Sequence, residues 1–82
     1  MTLKHGHLYR LRGMKSSMWQ VGHPHYGRPP TLVGVFLGKM QGTRTWYGFE
    51  IRVGGKERGV LFMPQSDLDQ LQVEGLGPYT GD

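Results

Sequence analysis

The sequence predicts an all-β fold, a small and strongly bent barrel of five strands with one short helical turn before the last strand. Fourteen glycines and five prolines among 82 residues disfavour long helices and favour short strands joined by tight turns. No stretch keeps the 3.6-residue apolar period of an amphipathic helix. A chain of this length is expected to form one domain, with the barrel over about residues 7–74 and a loosely ordered tail at 75–82.

Five strand-like runs and one helical turn follow one another along the chain. The runs are HLYRLR (7–12), TLVGVFL (31–37), RTWYGFEIRV (44–53), GVLFM (59–63) and QLQVEG (70–75), with MWQV (18–21) as a weaker candidate. The helical turn lies in MPQSDLDQL (63–71), where Pro64 ends the preceding strand and Ser66 is expected to cap free N–H groups. Leu68 and Leu71 are spaced to point the same way, into one end of the core.

Gly54-Gly55 is the best-specified turn, because glycine supplies the positive φ that a two-residue hairpin turn needs. It pairs Val53 with Lys56 and Arg52 with Glu57. The same register, with a second turn at Gln41-Gly42, predicts a core face of Leu32, Phe36, Tyr47, Phe49, Ile51, Val60 and Phe62, in which Phe49 faces Val60, Tyr47 faces Phe62 and Phe36 faces Tyr47. A slip of one residue would exchange the two faces of a strand.

The order of these elements resembles the SH3-like family of small barrels. The resemblance spans roughly residues 7–74 and rests on LYRLRG, VGVFLG, YGFEIRV and FMPQSDL. The ALYDY-like stretch and the paired acids of peptide-binding SH3 domains are absent, so binding to proline-rich peptides is not implied. The resemblance implies a binding module, since such barrels serve mainly as adaptors and as nucleic-acid or protein contacts.

Charge is distributed unevenly along the chain. Residues 1–49 carry seven Lys and Arg and no Asp or Glu, whereas from Glu50 onward three basic residues face six acids. This asymmetry predicts a positive patch on one face or end of the molecule. The alternative is that the two halves pair with each other across the fold.

Aromatic rings and cations are interleaved in the acid-free half, most densely around the proline-stiffened stretch GHPHYGRPP (22–30). Planar side chains beside positive charge suit the stacked bases and phosphates of single-stranded or structured RNA or DNA. The first hypothesis is therefore a non-catalytic nucleic-acid-binding module. Its phosphate contacts would be Arg10, Arg12, Lys15, Arg28, Lys39 and Arg44, and its stacking platforms Tyr26 and Trp46.

A protein partner is the second hypothesis. The face opposite the predicted core is too apolar to lie bare in water, so another part of the chain or another molecule should cover it. As a small adaptor or inhibitor, the chain would dock this strip by strand addition or as a homodimer: Val33, Val35, Leu37, Trp46, Leu61 and Met63. Compactness of this kind is also typical of the small regulators encoded by phages and mobile elements.

Two His-x-His pairs form a third candidate site, because residues i and i+2 of an extended chain face the same way. A four-nitrogen metal site would use His5, His7, His23 and His25, but no acid in residues 1–49 is available to orient the imidazoles. No serine or threonine stands in a recognisable nucleophile setting, and GKMQG (38–42) lacks the spacing of a phosphate loop. We expect neither an enzyme nor a bound cofactor.

Cysteine is absent, which excludes disulfides and thiolate metal sites and fits a reducing compartment. No apolar run approaches the ~20 residues that cross a bilayer, and the N-terminus lacks the apolar stretch of a secretory signal. A cytoplasmic protein without a membrane partner is expected.

Overall fold

The computed structural model describes residues 2–18, 30–54 and 56–80, which form one antiparallel sheet with a short helix. Its elements are β1 (His7–Arg12), a 3-10 turn (Ser16–Met18), β2 (Thr31–Gln41), β3 (Thr45–Val53), β4 (Lys56–Pro64), α1 (Gln65–Leu68) and β5 (Gln72–Pro78). The strand order is β4-β3-β2-β1-β5, so the all-β prediction is confirmed. The sheet is open, with β4 and β5 at its edges, and the predicted closed barrel is not confirmed.

The strands begin and end close to their predicted limits. β1 has the predicted bounds, while β2 and β4 are longer than the apolar runs that predicted them. Of the weaker candidate strand MWQV, Met18 belongs to the 3-10 turn and the other three residues lie outside the described part of the chain.

The β3–β4 hairpin has the predicted register at its turn and a different one beyond it. Val53 pairs with Lys56 and Arg52 with Glu57, as predicted, and Gly54 has φ 58°. A bulge then places residues 58 and 59 of β4 opposite residue 51 alone, with Gly59 at φ 117°.

This bulge reverses the two faces of β4, so the predicted pairs of Phe49 with Val60 and Tyr47 with Phe62 are wrong. Phe49 instead pairs with Leu61, and Tyr47 with Met63. Leu61 and Met63 are fully buried. Val60 and Phe62 consequently lie on the outer face, the side of the sheet away from the core.

The β2–β3 turn also differs from the prediction. Gln41 pairs with Thr45, so the loop is residues 42–44 rather than a two-residue turn at Gln41-Gly42. A bulge at Leu37 brings Phe36 opposite Phe49 instead of Tyr47. Beyond the bulge, each β2 residue pairs two residues further along β3 than predicted. Since side chains alternate between faces with a period of two, the predicted core residues of β2 and β3 keep their face.

The core fills the side of the sheet onto which the helical segment folds. Leu68 and Leu71 contribute to it as predicted. Pro64 precedes α1 without a side-chain cap, so Ser66 does not have the capping role expected of it. The buried cluster consists of Tyr9, Leu11, Met14, Met18, Leu32, Phe36, Phe49, Ile51, Leu61, Met63, Leu68 and Leu71, with Leu3, Tyr47 and Val73 packed against it.

The C-terminal segment, for which a loose tail from residue 75 was predicted, includes the end of the last strand. β5 continues to Pro78, and the Tyr79 N–H donates to the carbonyl of Gly6 at 2.9 Å. The Arg52 guanidinium lies 4.9 Å from the centroid of the Tyr79 ring. Residues 75–80 therefore extend the sheet and cover part of its outer face.

Candidate nucleic-acid interface

Those predicted phosphate-binding residues that the structure describes are divided between the two ends of β2. Arg10 and Arg12 lie on β1, where Arg12 pairs with Thr31 at the beginning of β2. Lys39 and Arg44 lie at the other end, in the β2–β3 hairpin. Along a straight strand, Thr31 and Lys39 would be roughly 26 Å apart, at about 3.3 Å per residue. The two groups therefore form separate surfaces.

In the β1 group the cations have partners from the C-terminal third of the chain. Arg10 Nη1 lies 2.6 Å and Arg12 Nη2 3.6 Å from Glu74 Oε1, because β5 pairs with β1 and places Glu74 opposite Arg10. Lys15 Nζ donates to Gln70 Oε1 at 2.8 Å. Here the two halves of the sequence pair with each other, and one carboxylate offsets two guanidinium groups.

The second group lies at the end of the β2–β3 hairpin, which we call the hairpin end (residues 39–47). Its segment Lys39–Arg44 is exposed throughout. The Arg44 guanidinium lies 5.5 Å from the centroid of the Trp46 ring, within the range of a cation–π contact. Among the residues that the structure describes, neither Lys39 nor Arg44 has a carboxylate within ion-pair distance.

The hairpin end presents different side chains on its two faces. Tyr47 packs against the core, so its neighbour Trp46 belongs to the outer face. Lys39 pairs with Tyr47 and Met40 with Trp46, which places Lys39 on the core side and Met40 on the outer side.

A cleft of about 210 Å³ lies on the core side of the hairpin end. It is lined by Thr2, Leu3, Phe36, Lys39 and Tyr47. The chain reaches it because the Gly6 N–H donates to the carbonyl of Phe36 at 2.9 Å, which holds the turn at residues 5 and 6 beside β2. Sequence reasoning missed this cleft, since Thr2 and Leu3 carry no motif and precede the first strand.

The structure bears differently on the remaining predicted residues, on the predicted metal site and on membrane crossing. Tyr26, Arg28, His23 and His25 lie outside the described residues, so the roles predicted for them stay predictions. Within the described residues, no three His, Cys, Asp or Glu side chains gather as a metal site would require. No helix in the described ranges is long and apolar enough to cross a membrane.

The predicted apolar strip does not form one exposed surface. Leu61 and Met63 are 0% exposed and belong to the core, because the β4 bulge turns them inward. Val35 is 6% exposed, while Leu37 is 39% exposed at the β2 bulge. The other large exposed apolar side chains of the described residues are spread over the hairpin end, the β3–β4 turn and β5: Met40, Val53 and Leu76.

Comparison with protein-family models, with curated proteins and with solved structures finds no match for this chain. Its function is therefore inferred from the geometry of the hairpin end, where the exposed Arg44 lies over the Trp46 ring and no carboxylate of the described residues is within ion-pair distance.

Proposed function

We propose that this protein is a non-catalytic module that binds single-stranded nucleic acid through the hairpin end. The observation that carries the proposal is the exposed Arg44 guanidinium over the half-buried Trp46 ring, with no carboxylate of the described residues within ion-pair distance of Arg44. An indole ring offers a stacking surface to any base, and a guanidinium donates to phosphate oxygens. An unpaired strand fits better than a duplex, because stacking on a side chain needs a base that is free of its neighbours.

The roles of the cations differ between the two groups. Lys39 and Arg44 are assigned to backbone phosphates, and Trp46 to a stacked base. Arg10 and Arg12 would have to release Glu74 before they could bind a phosphate, so we assign them a smaller contribution. The predicted contribution of Lys15, and those of Arg28 and Tyr26, remain predictions.

We also propose that the sheet is the strongly bent, SH3-like barrel that the sequence resembles. The strand order, with β5 beside β1 and a helical turn leading into β5, supports this assignment. Leu68 and Leu71, which belong to the same buried cluster as side chains of β1, β2, β3 and β4, are consistent with it. A cytoplasmic location stays a prediction.

The binding test is a salt titration with labelled single-stranded DNA and RNA, followed by fluorescence anisotropy. For two cations on a single strand, log K should fall with log salt at a slope of about −1.4, and for four at about −3. An affinity that is flat between low and high salt would contradict the proposal.

A pair of charge variants tests the location of the surface. Arg44→Ala should weaken binding and reduce the magnitude of the salt slope by about 0.7, because one phosphate contact is lost. The matched control is Lys56→Ala, which removes one exposed charge at the β3–β4 turn instead. Equal losses in the two variants would mean that net charge alone drives binding.

Binding of a protein partner stays the alternative, although two residues of the apolar strip predicted for it, Leu61 and Met63, are buried in the core. Its test is Trp46→Glu, which should abolish self-association or partner capture while the fold remains intact. If the wild-type protein bound no nucleic acid and Trp46→Glu lost self-association or partner capture, the protein-partner hypothesis would be favoured.

A further inference from the structure

We infer that the cleft beside the hairpin end holds one nucleotide, with its base against Tyr47 and Leu3 and its phosphate at Lys39. This inference rests on the proposed function and names the unit that is recognised. It concerns the core side of the hairpin end, whereas Trp46 lies on the outer side. The two contacts can therefore succeed or fail independently.

The walls of the cleft suit a flat ring. Phe36 and Tyr47 have ring centroids 6.1 Å apart and planes inclined by 32°, and Leu3 packs against the same cluster. The volume of about 210 Å³ is smaller than the ~300–1,000 Å³ of sites for drug-sized ligands. A single base fits this shape better than a larger ligand or a peptide segment.

The Tyr47 wall is fixed before any ligand arrives. Its hydroxyl donates to Gln65 Oε1, and Gln65 Nε2 donates to Asp69 Oδ1 at 2.9 Å. This chain of hydrogen bonds ties the ring to the helical segment. A wall that is already ordered loses little conformational entropy on binding.

The rim of the cleft selects for negative charge. Lys39 is exposed, and among the described residues no carboxylate lies within ion-pair distance of it. Thr2 is a second polar residue of the lining. A planar ring next to an anion is the chemistry of a nucleotide, either free or as one unit of a strand.

The test uses 15N-labelled protein with adenosine monophosphate, adenosine, inorganic phosphate and an oligoadenylate. We expect saturable shifts at Thr2, Leu3 and Tyr47 with the monophosphate and tighter binding of the oligoadenylate. Thr2→Trp, which fills the cleft from an exposed position, should weaken both by about 5- to 150-fold, the worth of one stacked base. The matched control Thr31→Trp, also exposed but at the other end of β2, should leave both unchanged.

Lys39→Gln should weaken the binding of the monophosphate and leave the binding of adenosine unchanged. This result would distinguish a lost phosphate contact from a changed shape of the cleft. If inorganic phosphate bound the cleft with the same affinity as the monophosphate, the inference would be overturned, because the base would then contribute nothing to binding. If the monophosphate bound but the oligoadenylate bound no more tightly, the proposed function would be contradicted and the nucleotide site in the cleft would stand. If the oligoadenylate bound wild type and Thr2→Trp equally and caused no shifts at the cleft, the nucleotide site in the cleft would be contradicted and the proposed function would stand.

Discussion

At Gly48 the fold has no room for an added methyl group. A Cβ built at this position would lie 2.8 Å from Cε1 of Phe62, because the Phe62 ring packs over the glycine on the outer face. Gly48→Ala should therefore destabilise the fold by about 1–3 kcal/mol, as overpacking does elsewhere. Urea unfolding monitored by tryptophan fluorescence measures the change.

The control for this change is Gly42→Ala, since a Cβ there meets nothing within 4 Å. In a Phe62→Leu background the cost of Gly48→Ala should shrink, because the two residues are in contact and their effects are not additive. Equal unfolding midpoints for Gly48→Ala and Gly42→Ala would show that the Phe62 ring moves aside without cost.

Trp46 is the residue on which the stacking argument depends. Trp46→Ala should weaken binding of a single strand by about 1–3 kcal/mol, the usual worth of one stacked base. Trp46→Phe keeps a ring and should retain most of the affinity. Similar affinities for the alanine and wild-type proteins, with both folded by circular dichroism, would remove Trp46 from the interface.

At the scale of the elements, the β4 bulge decides which side chains form the core. Gly59 has φ 117°, a region that residues with a Cβ rarely adopt. Gly59→Ala should therefore cost about 1–3 kcal/mol of stability. Thermal or urea unfolding provides the measurement.

Gly75→Ala is the matched control for the bulge, because Gly75 also lies in a strand and a Cβ there would have ordinary contacts with Tyr9, at 3.6 Å. If Gly59→Ala proved as stable as Gly75→Ala, the backbone conformation of the bulge would not constrain the fold.

The elements were largely predictable and their registers were not. β1 was delimited correctly by its alternating apolar residues, and the pairing of Val53 with Lys56 followed from the two glycines of the turn. The bulges left a weaker signal, since a glycine within a strand, such as Gly38 or Gly59, is compatible both with a bulge and with an uninterrupted strand. One extra residue in β4 was enough to move Leu61 and Met63 from the predicted surface strip into the core.

At the scale of the whole molecule, the fold rearranges the charge asymmetry of the sequence. Pairing of β1 with β5 brings Glu74 to Arg10 and Arg12, while the hairpin end stays without acidic partners among the described residues. Sequence order alone could not reveal this division, because it depends on which distant strands become neighbours. For the same reason the cleft at Thr2 and Tyr47 could not be predicted.

Glu74→Gln tests whether the β1 group takes part in binding. Stability should change by less than about 1 kcal/mol, since the ion pairs are at the surface. Affinity for a single strand should rise no more than in Glu57→Gln, which adds the same charge at a distance from β1. A distinctly larger rise in Glu74→Gln would place Arg10 and Arg12 in the interface.

Binding of a single strand at the hairpin end is tested most directly by an amide chemical-shift titration of the whole chain with a single-stranded oligonucleotide at low salt. The largest shifts should fall on the hairpin end, residues 39–47, and should diminish as salt is raised. Saturating oligonucleotide that leaves residues 39–47 unperturbed would contradict binding at this end.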